Sequence, residues 1–109
     1  MAKNFIQSGD VITVAAPAAV VSGGVVIAGE IVGIAQGDAA SGAAVDLACG
    51  GVWELSKVAS DDVALGDAIY WAAGSDLATV TATDNAKLGV AVAAAAASTG
   101  TVRVRLSGF

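Results

Sequence analysis

Thr101-Val102-Arg103-Val104-Arg105-Leu106 alternates polar and apolar residues along its whole length. Thr101, Arg103 and Arg105 fall on one face, and Val102, Val104 and Leu106 on the other. Successive side chains of a strand point to opposite faces, so this run predicts a half-buried β-strand. Just upstream, Leu88, Val90 and Val92 alternate with Gly89, Ala91 and Ala93 in the same way. A short Ala97-Ser98-Thr99-Gly100 stretch joins the two runs, which predicts a hairpin. Trp53 and Leu55 likewise share a face opposite Glu54 and Ser56.

Working outward, short apolar runs recur every eight to twelve residues. They are Asp10–Ala15, Ala18–Val21, Val25–Ala28, Ile31–Gln36, Ala43–Cys49, Val52–Lys57, Ala68–Ala72, Ala78–Thr83 and Lys87–Ala93. Turn residues separate them, among them Ser22-Gly23-Gly24, Gly50-Gly51, Gly66-Asp67 and Gly74-Ser75-Asp76. This rhythm predicts an all-β chain, a small single-domain β-barrel or β-sandwich over residues 10–109. Residues 1–9 are polar and patternless and read as a flexible arm. At most one short helical turn is expected, at Ser60–Leu65, where Ser60 can cap and Asp61 and Asp62 suit a helix start. Ala91–Ala97 stays open between helix, which alanine favours, and strand, which Val90, Val92 and Gly89 favour.

The chain has 109 residues, enough for one domain. Its 26 alanines and 16 valines stand against two Trp, two Phe and one Tyr, so large core anchors are scarce. A chain built this way gains from burying a further face against copies of itself or a partner. The net charge of −5 and the absence of a basic run argue against nucleic acid as partner. With no histidine and only Cys49, neither a Cys-His nucleophile nor the usual zinc clusters can be assembled. Cys49 follows the alternating Ala43-Val45-Leu47 and reads as a small buried hydrophobe. Val11–Gly29 carries no charge, but Pro17 and Ser22-Gly23-Gly24 interrupt it. Neither a membrane span nor a signal peptide is expected, and the protein is expected to stay in the cytoplasm until assembled.

No phosphate-cradling loop and no nucleophile elbow occurs. Asp61, Asp62 and Asp67 lack the alternating oxygen ligands of a calcium loop and read as solvated turn residues. No catalytic residue, metal or cofactor is expected, and the chain reads as no enzyme. Arg103 and Arg105 form either a solvated polar face or an electrostatic contact with an acidic neighbour. Trp53, Tyr70 and Trp71 either fill the small core or anchor an interface.

Several stretches, in order, resemble one family. They are Met1-Ala2-Lys3-Asn4-Phe5-Ile6-Gln7-Ser8-Gly9-Asp10, Gly51-Val52-Trp53-Glu54-Leu55-Ser56-Lys57, Gly66-Asp67-Ala68-Ile69-Tyr70-Trp71, Lys87-Leu88-Gly89-Val90-Ala91 and Val102-Arg103-Val104-Arg105-Leu106. Together they are similar to the capsid-cement, or decoration, proteins of tailed phages. A recombinase label carried by some members finds no support here, since the phosphate loop is missing. The resemblance implies a compact β-rich fold and makes Lys87–Ala97 mostly strand. It implies a structural virion protein on the capsid exterior, made in the host cytoplasm. Its partner would be the major capsid protein, with a homotrimer favoured over a dimer. From its patternless polarity, the arm is expected to order on binding and add a strand to a capsid sheet edge. Interface candidates are Lys3, Asn4, Phe5, Ile6, Trp53, Trp71, Arg103 and Arg105. The alternatives are another oligomeric virion module of tail or baseplate, or a carbohydrate- or ligand-binding β-module.

Overall fold

The computed structural model describes residues 3–4, 6, 9–72 and 74–106; Phe5 lies outside them. Nine strands follow one another: β1 (Val11–Ala15), β2 (Val25–Ala28), β3 (Ile31–Ala35), β4 (Ala44–Ala48), β5 (Val52–Ser56), β6 (Ala68–Ala72), β7 (Leu77–Thr79), β8 (Ala86–Ala91) and β9 (Thr101–Leu106). Among the described residues there is no helix, and hence none long and apolar enough to cross a membrane. The uncharged stretch 11–29 folds as β1, an irregular segment and β2.

The strands make two antiparallel sheets, ordered β1-β4-β3-β2 and β5-β9-β8-β6-β7. The second sheet curls until Val58 N–H donates to Ala78 O at 2.9 Å. Beyond the Lys57–Ala78 bridge, its end strands β5 and β7 do not pair, so the barrel stays open. Val32 and Ile34 of the first sheet pack with Leu55, Ile69, Leu88, Val102, Val104 and Leu106 of the second, forming the main core. The opposite face of the first sheet holds a second cluster of Val26, Ala35, Val45 and Leu47. Ala16, Val20 and Ala39, from the segments before β2 and after β3, pack into that cluster. The first sheet therefore serves two cores, because β2 and β3 send alternate side chains into each.

Gly89 makes the centre of the second sheet possible. A Cβ there would lie 1.9 Å from the carbonyl oxygen of Arg105 on β9. Between Ile69 and Tyr70 the β6–β8 register shifts, pairing Ile69 with Gly89 and Tyr70 with Lys87. This bulge turns both Leu88 and Gly89 inward and leaves Lys87 facing outward with Val90.

Three local expectations are corrected. Ser60–Leu65 forms no helical turn, because its polar groups are committed elsewhere. Lys57 Nζ donates to the carbonyls of Val58, Ala59 and Asp61 at 3.0, 3.3 and 2.7 Å. Asp61 Oδ2 accepts from Thr79 Oγ1 and Val80 N, and Val63 bridges Ala95. The Ala18–Val21 run forms no strand; Val20 alone bridges Ala39. Finally, β8 stops at Ala91, so Ala91–Ala97 is neither helix nor mostly strand, and residues 92–100 form the whole connection to β9.

Candidate functional site

The outer face of the second sheet is built by strand alternation. Register places Val52 beside Arg105, Arg105 beside Val90, and Val90 beside Ala68, giving one row across four strands. The next row pairs Glu54 with Arg103, and the bulge brings Lys87 onto the same face beside Tyr70. Arg103, Arg105 and Lys87 are exposed, while the alternate residues Val102, Val104 and Leu106 are buried. Thus three of the five cations of an acidic chain stand on one sheet face, with Glu54 as the only carboxylate among the ten that shares it. Glu54 accepts from Thr101 Oγ1 at 3.2 Å. No ion pair holds Arg103, Arg105 or Lys87 among the described residues.

The fourth cation, Lys57, is missed by sequence reasoning. It is 3% exposed and clamps the 58–61 segment through its three carbonyl acceptors. Period-two alternation after Trp53 and Leu55 was the available signal, since it puts Lys57 on the inward face.

The two tryptophans differ. Trp53 is half-buried against the main core, and its indole N–H donates to Gly50 O at 2.8 Å. Trp71 is half-buried too, but it also lines two adjoining concavities at the seam between the sheets. Lys3, Asn4 and Ile6 precede β1 and are exposed, Ile6 by 88%. The structure therefore gathers Arg103 and Arg105 with Lys87 on one face, and it separates them from Trp71 at the seam.

The acidic turn residues have structural partners. Asp67 Oδ2 accepts from Ala64 N at 2.9 Å, and Asp61 binds Thr79 and Val80. Among the described residues no group of three potential ligands converges on a metal position. Cys49 is half-buried beside the second cluster, and burial pushes its thiol pKa up. A thiol held protonated is a weak nucleophile.

The outer face of the second sheet is thus broad, basic and partly apolar. A family model described as phage cement protein matches residues 6–106, which hold all nine strands and both cores. Neither curated proteins nor solved structures yield a match. The family's role is structural and capsid-associated, and by a match over nearly its whole length this chain belongs to the phage cement proteins.

Proposed function

We propose that the protein binds the outside of the mature phage capsid and stabilises the major capsid protein lattice, with the outer face of the second sheet as its docking surface. The observation that carries this reading is the gathering of Lys87, Arg103 and Arg105 on one face of a chain whose net charge is −5. Guanidinium groups bind carboxylates with two parallel hydrogen bonds, so this face fits an acidic capsid surface. Val52, 55% exposed in the same row as Arg105, adds apolar contact between the charges. Contacts that exist only on the mature lattice stabilise that state by linkage, and many copies make modest contacts sufficient. In this reading the active form is a closed homotrimer on the virion exterior, made in the host cytoplasm, and no catalytic step is involved. Residues 1–9 act as an arm separate from the domain at 10–109.

The test mixes purified protein with mature empty capsids of its own phage and measures uptake. Stoichiometric uptake is expected. Arg103→Glu combined with Arg105→Glu is expected to weaken it by about tenfold or more, with the fold intact by circular dichroism. Absence of uptake by the unmodified protein overturns the reading in favour of a tail or baseplate module.

A further inference from the structure

The seam beside Trp71 has a form that the capsid reading does not use. Two concavities meet there and share Val25 and Trp71. Their lining includes Val25 and Ile27, which point to the main core, and also Val26, which points to the second cluster. Side chains from both faces of β2 line them, so together they form a slot over the strand's edge. That edge is open, because β2 ends its sheet and pairs only with β3. One wall is Pro17–Val20, apolar throughout; the other is Trp71, with Glu54 and Asp76 toward the Gly24 end. An open edge with walls on both sides accepts an extended segment as an added strand.

We propose that the occupant is segment 3–6 of a second copy, laid parallel to β2. Lys3 to Ile6 takes the same three steps as Val25 to Ala28, about 10 Å at strand spacing, which sets Lys3 beside Val25. Alternation sends Lys3 toward Glu54, Asp76 and Trp71, and sends Asn4 and Ile6 toward Pro17–Val20. The charge and the apolar group of the segment thus each meet their complement. Within one chain the segment does not line the slot among the described residues, and Ile6 is 88% exposed. Each copy gives a segment and receives one, so the exchange is satisfied in a reciprocal pair or in a closed head-to-tail ring. This inference concerns the free protein, and its slot shares Glu54 with the face that meets the capsid.

The experiment uses full-length chains carrying Cys49→Ser. One chain also carries Ile6→Cys, the other Ala19→Cys, and the two are mixed under mild oxidation. A disulfide between unlike chains, visible as a doubled mass on a non-reducing gel, is expected. Its formation is expected to fall at least fivefold when the Ala19→Cys chain also carries Asp76→Asn, a change its left-handed backbone (φ 53°) tolerates. Light scattering is expected to give an oligomer for the unmodified protein and a monomer once residues 2–8 are deleted. An unlike-chain cross-link no faster than that of an Ile6→Cys chain with Leu65→Cys, an exposed position outside the slot, overturns the proposal. So does a chain carrying both Ile6→Cys and Ala19→Cys that closes only on itself at every concentration. In that chain the segment reaches its own slot, since Val11 and Val25 share one row of the first sheet.

Discussion

Gly89 and Lys57 show how much single residues decide here. Gly89→Ala drives a methyl carbon to within 1.9 Å of Arg105 O, a backbone atom that can move only if β9 moves. The expected cost is about 3 kcal/mol, at the upper end for overpacking, read as a lower urea midpoint. Lys57→Met keeps the buried stem but removes the donor from three carbonyls. The expected cost is about 2 kcal/mol, with faster amide exchange confined to the 58–63 segment; an unchanged midpoint would mean that water replaces the ammonium without loss. Neither role was fully legible in the sequence. The alternation around Gly89 identified a strand, but the close approach of Arg105 depends on pairing with a strand sixteen residues on. For Lys57, alternation pointed inward while the general preference of lysine pointed outward, and the local carbonyls that satisfy it appear only once the chain turns.

Among the elements, alternation held in β9 but failed in β8, where the bulge turns Leu88 inward and leaves Val90 outward, and length of run was unreliable. The β9 pattern predicted its buried and exposed faces correctly, and the Val25–Ala28 and Ala68–Ala72 runs coincide with β2 and β6. Ala78–Thr83 was too long because Asp61 captures the Val80 amide and ends β7 at Thr79. The 92–97 alanines defeat both propensity readings because one of them is held by a tertiary contact. Ala95 is 8% exposed and exchanges two backbone hydrogen bonds with Val63, at 2.8 and 2.9 Å, while Ala94 and Ala96 are exposed. Ala95→Asp is therefore expected to cost about 2 kcal/mol, by burying an unpaired carboxylate, and Ala96→Asp less than about 0.5 kcal/mol. Equal melting temperatures for the two variants would show that the 92–100 connection does not depend on its seat against Val63.

As a whole the molecule is a slab, 48 × 35 × 22 Å, and it leaves much surface uncovered. Its accessible area is 6266 Å², against about 5,400 Å² for a compact monomer of 10.4 kDa. The sequence hinted at this through its shortage of large anchors, but it could not say which faces remain open. Sheet order joins β5 to β9 and β1 to β4 across long stretches of chain, whereas Lys87 joins Arg103 and Arg105 through the adjacent β8–β9 pair and the bulge opposite Ile69 and Tyr70. Whether charge or apolar contact dominates the docking follows from its salt dependence. Screening shortens the reach of a surface charge from about 10 Å at 0.1 M salt to about 3 Å at 1 M. If the three cations carry the attraction, capsid uptake weakens steadily over that range, and the loss is mainly in association rate. The Arg103→Glu, Arg105→Glu variant, repelled by an acidic surface, is expected to regain uptake as salt rises. Uptake by the unmodified protein that holds or rises with salt would assign the docking to Val52 and Val90, because salting-out strengthens apolar contact while it screens charge.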